Sequence, residues 1–104
     1  MKLERYVTIG VQENIPAEIQ FLLWSLQTSQ RSYNENLDYL QVYDLQIENI
    51  DDKAMQKIIH SSEEDEYEKA YITEMNDMVE AKIFIIEDKY EDKIVETMLL
   101  AEEY

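Results

Sequence analysis

The sequence predicts an α+β domain in which one main helix packs on an antiparallel sheet of about five or six strands. One segment near the start has a helical period, and most segments after it alternate with the period of two that is typical of strands. The length of 104 residues fits one domain with one hydrophobic core. We therefore expect residues 1–104 to form a single domain.

The main helix is predicted over residues 14–30, NIPAEIQFLLWSLQTSQ. Its apolar side chains recur at i, i+3, i+4 and i+7, so they form one stripe that can lie on a sheet. The stripe consists of Ile19, Leu22, Leu23 and Leu26. Pro16 suits the first turn, where its missing N–H would have no intrahelical partner, and Asn14 or Glu13 is close enough to help cap the helix.

Phe21 and Trp24 fall on the side of this helix opposite the stripe, because successive residues are about 100° apart around the axis. The helix is therefore predicted to be apolar on two sides. Two explanations stay open: later strands or the tail cover the two rings, or the rings contact a second copy or another protein.

Six segments are predicted as strands from their alternation or their content of aromatic and β-branched residues. They are residues 4–11, 38–47, 54–61, 66–75, 81–86 and 94–104. The acidic turn ENIDDK joins the second segment to the third, which favours a hairpin. The fifth, AKIFII, is the most apolar and is expected to lie centrally in the sheet. The fourth is ambiguous, since residues 63–75 also suit a helix.

The residue types that are missing exclude several classes of function. There is no cysteine, so disulfides, thiol catalysis and cysteine zinc sites are excluded. Gly10 is the only glycine, and a GxGxxG loop or a P-loop needs more than one, so both are excluded. A glycine near a strand end is typical of a bulge or a close backbone approach. No signal peptide or membrane span is recognisable, so we expect a cytoplasmic protein.

His60 is the only histidine, which excludes a histidine-rich metal site. Ser61 and Ser62 follow it without the glycines of a nucleophile elbow, so a structural histidine, satisfied or exposed, is favoured over a catalytic one. The acidic runs lack the ligand rhythm and the glycine of an EF-hand loop. We predict no catalytic residue, metal or cofactor, and a protein that is not an enzyme.

The formal net charge is −15, with 24 acidic and nine basic side chains. Residues 1–47 contribute six acids and three bases, and residues 48–104 contribute eighteen acids and six bases. This charge repels nucleic acid and anionic membranes and attracts basic surfaces. The alternative explanation is that the acids only keep the protein in solution.

Two carboxylate runs in the second half each contain a tyrosine: EEDEYE at residues 63–68 and EDKYED at residues 87–92. Closely spaced carboxylates can imitate the phosphates of a nucleic acid, although they are also common in ordinary loops. Tyr67 and Tyr90 could stack on arginine or fill a pocket at an interface. The carboxylates predicted to bind a partner are Glu63, Glu64, Asp65, Glu66, Asp88, Glu91 and Asp92.

Several strings resemble, in order, a small uncharacterised family of Firmicutes and their mobile elements, a domain of unknown function known from staphylococci. They are RYVTIGVQENIPAEIQFLLWSL, DYLQVYDLQ, QKIIHS, KIFIIED and TMLLAEEY. The resemblance implies one compact cytoplasmic domain of Gram-positive or phage origin, and it supplies no catalytic residues. The chain departs from the family around residues 63–77 and 88–93, where it is longer or more acidic.

The preferred hypothesis is a non-enzymatic phage or mobile-element inhibitor that occupies a basic surface on a nucleic-acid-binding protein. Its sharpest form is a DNA mimic of the anti-CRISPR kind, with an RNA-guided nuclease as partner, by analogy with small acidic inhibitors. The alternative is a housekeeping structural or regulatory domain that forms a homodimer through Phe21 and Trp24. A carboxylate-based enzyme ranks last. No direct binding of nucleic acid or membrane is expected.

Overall fold

The computed structural model describes residues 2–34, 36–64 and 67–104. In chain order the elements are β1 (Lys2–Val7), α1 (Ile9–Asn14), α2 (Ala17–Tyr33), β2 (Leu40–Ile50), β3 (Lys53–Ser62), β4 (Glu68–Thr73), β5 (Ala81–Lys89) and β6 (Lys93–Leu100), followed by a 3-10 turn at Ala101–Glu103. None of the helices in these ranges is both long and apolar enough to cross a bilayer.

The described strands form one sheet of six in the order β1-β6-β5-β2-β3-β4, with α2 packed on one face. This confirms the predicted α+β class and the predicted number of strands. Four of the strand pairs are antiparallel, but β1 runs parallel to β6. The sheet is therefore mixed. In the chain, the two helices follow β1 and separate it from the remaining strands. The position of β5 between β6 and β2 confirms that its apolar segment is central.

The main helix is confirmed, although it begins and ends three residues later than predicted. Pro16 precedes its first residue and makes no side-chain cap. Asn14 does not cap α2 either, since its side chain donates to the carbonyl oxygen of Gly10 in α1 at 2.8 Å. Ile19 and Leu23 are fully buried, as the apolar stripe predicts, and Gln27 extends the buried row by one more turn.

The first predicted strand was too long, because β1 ends at Val7 and the next residues form the short helix α1. The side chain of Thr8 caps α1 by accepting a hydrogen bond from the backbone N–H of Val11 at 3.3 Å. Gly10 thus lies in a helix and not in a strand bulge. It does permit a close approach, since an added Cβ would lie 2.6 Å from the carboxylate of Glu103.

The predicted hairpin of β2 and β3 is confirmed, but its turn has two residues instead of six. Asp51 and Asp52 both have positive φ angles, 52° and 65°. Positive angles at both central positions are typical of a type I′ turn, whose twist matches that of paired strands. The outer residues of the ENIDDK segment therefore continue the ladder, with Ile50 opposite Lys53.

We expect Asp52→Gly to stabilise the protein slightly and Asp52→Ala to destabilise it by about 1 kcal/mol. Glycine adopts positive φ without strain, whereas alanine has a Cβ and lacks the short polar side chain that helps aspartate in this conformation. Urea unfolding of the three proteins measures the difference. Equal stability of the alanine and glycine variants would contradict the assigned turn.

The ambiguous segment contains β4, so the strand prediction is confirmed over Glu68–Thr73. Its predicted first residue, Glu66, lies outside the described residues. The last strand ends at Leu100 because the chain then turns: the carboxylate of Glu103 accepts the backbone N–H of Leu100 at 2.8 Å. The core lies between α2 and the inner face of the sheet, where Tyr43, Ile58, Ile83, Ile85 and Met98 are buried.

Candidate functional site

The described residues of both predicted acidic runs lie at one end of the sheet, which we call the Tyr39 end. The backbone N–H of Glu87 donates to the carbonyl oxygen of Tyr39 at 2.8 Å, and that of Glu63 donates to Leu40 at 3.3 Å. The start of β2 therefore sits between the two runs. The predicted site residues Glu63, Glu64, Asp88, Glu91 and Asp92 are all exposed there. Asp65 and Glu66 lie outside the described residues.

Lysines reduce the negative charge at the Tyr39 end. Lys2 and Lys93 approach Glu4 at 3.5 and 3.1 Å, and Lys89 approaches Glu87 at 3.8 Å. These pairs are at or near the surface, so each contributes little to stability. Their positive charges nevertheless lie beside the predicted carboxylates and weaken the local field.

The two predicted tyrosines have different environments. Tyr67 is half-buried, donates its hydroxyl to the side-chain oxygen of Gln30 at 2.9 Å, and packs edge-on against His60. Tyr90 is 55% exposed, with the Lys93 ammonium 5.6 Å from its ring centre. Tyr67 thus packs and hydrogen-bonds inside the domain. Of the two predicted tyrosines, Tyr90 is the one exposed to solvent.

Among the described residues, the opposite end of the sheet, which we call the Asp51 end, is more strongly acidic. It gathers the β2–β3 turn, the segment between β4 and β5, the last residues of the chain, and the starts of the helices. Its exposed acidic residues are Glu13, Glu18, Asp51, Asp52, Glu74, Asp77, Glu80, Glu102 and Glu103. The described connecting segments of this end contain no basic residue. Two lysines lie at the starts of the adjoining strands: Lys53, the first residue of β3, which pairs with Glu74, and Lys82, the second residue of β5.

Three shallow grooves show that these carboxylates are neighbours. One is lined by Glu18, Lys53 and Glu74, a second by Glu80 and Glu102, and a third by Glu13 and Asp77, each with further residues. This surface was not apparent from the sequence because its acids occur singly or in pairs in five separate segments. They come together only in the folded sheet, because alternate connections between the strands lie at the same end.

The aromatic pair on α2 is partly covered. Trp24 is half-buried, and the guanidinium of Arg5 on β1 lies 4.8 Å from the centre of its ring. Phe21 is 72% exposed, one turn earlier on the helix. Trp24 is therefore partly covered, by β1 and not by the later strands or the tail that were predicted to cover it, and Phe21 remains available for a contact.

His60 is a buried structural residue on the inner face of the sheet. It is 0% exposed and stacks on Tyr43 with ring centres 4.2 Å apart. Its Nε2 lies 2.7 Å from the side-chain oxygen of Gln41, whose amide group donates to the carbonyl oxygen of Asp38. The imidazole therefore donates from Nε2. Burial, followed by the charge of Lys69, lowers the pKa of His60 to about 4.

This buried histidine predicts that the protein loses stability as the pH falls from about 6.5 to about 4.5. In that range the unfolded chain binds a proton at His60 that the folded chain does not, so the free energy of unfolding decreases with falling pH. We expect a loss of about 2–3 kcal/mol. Urea unfolding between pH 7.5 and 4.5 measures it, and His60→Gln should flatten the profile. An unchanged slope in that variant would contradict the assignment.

A small cleft opens beside this cluster, with a volume of about 240 Å³. Gln30, Asn34, Leu37, Gln41, Ser62 and Tyr67 line it. Its volume is below the range of roughly 300–1,000 Å³ that is usual for small-molecule sites. Among the described residues, no group of three or more histidine or acidic side chains is arranged to hold a metal ion.

A buried ionic network joins α2 to the sheet, and the sequence analysis did not predict it. Glu96 of β6 is 0% exposed and accepts hydrogen bonds from Arg5 at 2.8 Å, Gln27 at 2.7 Å and Arg31 at 2.7 Å. Arg31 also contacts Glu87 at 2.8 Å. Burial alone would raise the pKa of Glu96, but the hydrogen bonds from Gln27 and the arginines outweigh it and lower this pKa.

Gln27 connects this network to the aromatic cluster, because its side-chain oxygen accepts the hydroxyl of Tyr43 at 2.6 Å. The chain of contacts thus runs from Arg5 through Glu96, Gln27 and Tyr43 to His60. A carboxylate that is fully occupied by four hydrogen bonds has little capacity to exchange protons with a substrate. We interpret the network as structural.

Comparison with known proteins gives a family and a fold. A family model described as "Staphylococcal protein of unknown function (DUF960)" matches residues 4–103. The crystal structure of a protein of unknown function from Enterococcus faecalis is similar over 97% of this chain and 90% of that one, with a TM-score of 0.73 and 23% sequence identity. The search of curated proteins found no match.

Proposed function

The chain belongs to this staphylococcal family, DUF960, and from that premise we propose that it is a non-enzymatic cytoplasmic protein that binds a basic, nucleic-acid-binding surface of another protein. The observation that supports the proposal best is the Asp51 end, which gathers nine exposed acidic residues, with Lys53 and Lys82 at the starts of the adjoining strands. This end is the primary contact surface of the proposal. The Tyr39 end, with its two predicted runs, is the second.

The physical reason is the field of clustered, exposed carboxylates. A nucleic acid attracts its binding proteins mainly through regularly spaced negative charges, and the attraction weakens as salt rises. Exposed carboxylates on neighbouring loops offer a basic groove the same kind of attraction. The grooves between them are shallow, so they suit contact with protruding lysine and arginine side chains better than enclosure of a small molecule.

The environment of the titratable groups supports binding over catalysis. His60 is buried and neutral at physiological pH, and Glu96 is held as a carboxylate by its arginines. The acids of the Asp51 end are exposed to water, without the enclosed cleft that holds a pair of catalytic carboxylates.

A finer form of the proposal is an inhibitor carried by a phage or mobile element that blocks an RNA-guided nuclease. It depends on the analogy in size and charge with small acidic inhibitors. The same chemistry would suit any host protein whose basic groove holds DNA or RNA, so the partner is defined here by that groove.

Competition with DNA tests the proposal. The chain is immobilised, host lysate is applied at low salt, and bound proteins are eluted with rising salt. Each recovered protein is then purified and assayed for DNA binding with and without the free chain. We expect a nucleic-acid-binding protein that elutes at moderate salt and loses DNA in proportion to added chain. Recovery of proteins that bind no nucleic acid, or DNA binding that the chain does not affect, would overturn the proposal.

A further inference from the structure

The face of the sheet that points away from α2 is not covered by any helix in the described part of the chain. The strand registers align Phe84 with Val42 and Leu99, and Asp44 with Ile59, on this outer face. An apolar stripe crosses it diagonally from β1 to β4. Its members are Tyr6, Val95, Ile86, Phe84, Val42, Ile59 and Ile72, together with Leu40 and Leu99, which lie opposite Ile86 and Phe84 and are buried.

Several of these side chains are accessible. Tyr6 is 55% and Ile72 is 46% exposed, at the two edges of the sheet, and the central members other than the two leucines are half-buried. Tyr104 packs edge-on against Phe84, with ring centres 5.4 Å apart, and is itself 66% exposed. Accessible tyrosines around an apolar centre are enriched in protein interfaces.

The charge of the outer face differs from that of the rest of the molecule. By strand alternation the face carries five lysines and five acids, so its net charge is zero, and the remainder of the chain carries the whole −15. The lysines are Lys2, Lys53, Lys57, Lys82 and Lys93, and the acids are Glu4, Asp44, Glu48, Glu68 and Asp88. More than half of the nine basic residues are thus placed on one face.

We propose that this outer face binds a second copy of the chain, so that two sheets pack face to face with the helices outside. A basic partner would be drawn to the acidic ends instead, and a nucleic acid or an anionic membrane would be repelled by the body. A neutral face with both signs of charge offers each copy opposite charges to meet, as a two-fold interface requires. It is also the broad surface on which two highly acidic molecules can meet with the least repulsion.

The size of the face fits this partner. Six strands spaced about 4.8 Å apart span roughly 24 Å, and strands of 6 to 11 residues are roughly 20–36 Å long. The area is therefore roughly 600–800 Å² per copy, close to the ~800 Å² that each partner contributes to a standard interface. Aligned packing of two sheets in this way is a common arrangement.

Sedimentation equilibrium tests the proposal with two matched variants. Ile86→Lys on the outer face should weaken the dimer at least about tenfold, whereas Phe21→Lys on the exposed side of α2 should not change it. The two substitutions add the same charge. A chain that stays monomeric at high concentration and high salt would overturn the proposal, and so would a dimer that Phe21→Lys dissociates and Ile86→Lys does not.

If Ile86→Lys fails to fold, the pair Lys57→Glu and Lys82→Glu provides the test. Lys82 is exposed and Lys57 is half-buried in an ion pair with Glu48 on the outer face, so neither reversal enters the core. The two reversals make the net charge of the outer face negative, so the two copies should repel and the dimer should weaken. An unaffected dimer would contradict the proposed interface. Salt gives an independent readout. Raising it from about 0.05 M to about 0.5 M should strengthen the dimer by screening repulsion between the acidic bodies, the opposite of its effect on a basic partner.

Discussion

Glu96→Ala is expected to lower the free energy of unfolding by about 3–5 kcal/mol, the largest effect of any single substitution proposed for this chain. The carboxylate is fully buried and holds Arg5, Gln27 and Arg31 at 2.7–2.8 Å. Its removal would leave two mostly buried guanidinium groups, 25% and 17% exposed, short of an acceptor. A cavity between α2 and β6 would add to the loss. Urea unfolding monitored by circular dichroism measures the change.

Two controls make this result specific. Glu91→Ala removes a carboxylate that is exposed in a turn, and it should change stability by no more than about 0.5 kcal/mol. Replacing the whole network together, Glu96 and Glu87 by leucine and Arg5 and Arg31 by methionine, should restore much of the lost stability, since buried ion networks can be exchanged for apolar packing when no charged partner is left behind. A loss below about 1 kcal/mol for Glu96→Ala would show that the network does not hold α2 on the sheet.

Reversing three charges at the Asp51 end is expected to weaken binding to a basic partner by at least about a hundredfold. Asp77, Glu80 and Glu102 are suitable because they are exposed, and replacing each by lysine changes the net charge from −15 to −9. The new lysines would also repel the partner's own basic groups, which adds to the loss. Calorimetry or surface plasmon resonance with the partner recovered from lysate measures the affinity.

The matched control carries three reversals at the Tyr39 end, at Glu64, Glu91 and Asp92, and has the same net charge of −9. We expect it to lose less affinity, because lysines already weaken the field there. If the control loses more, the contact lies at the end that the acidic runs predict. If both variants bind as the unmodified chain does, the acids serve only solubility and the housekeeping alternative is favoured.

The class of fold and most of the elements were predictable because each long segment keeps one period throughout. The apolar stripe of α2 and the alternation of β2 and β3 are strong local signals, and burial of Ile19, Leu23 and Tyr43 follows from them. The helix α1 was not predicted because its sequence, IGVQEN, is too short for its apolar pattern to distinguish a helix from a strand. Its signal was Thr8, a residue that is well suited to cap a helix.

The candidate surfaces were less predictable, because they depend on how distant segments meet. The runs at the Tyr39 end were visible in the sequence, whereas the Asp51 end is assembled from isolated acids by the topology of the sheet. The parallel pairing of β1 with β6 was hidden for the same reason. The sequence did contain a signal for the buried network, because Glu96 lies between Ile94 and Met98 in the middle of the inner face of β6. Its partners on the helix, Gln27 and Arg31, could not be assigned to it from the sequence.

The central claim, that the molecule meets a basic partner through the Asp51 end, is tested most directly by zero-length cross-linking of the complex. A carbodiimide joins a carboxylate of this chain to a lysine of the partner where the two form an ion pair, and mass spectrometry identifies the linked residues. We predict links at Asp77, Glu80 and Glu102. Links confined to Glu64, Glu91 and Asp92, or spread evenly over both ends, would contradict the account.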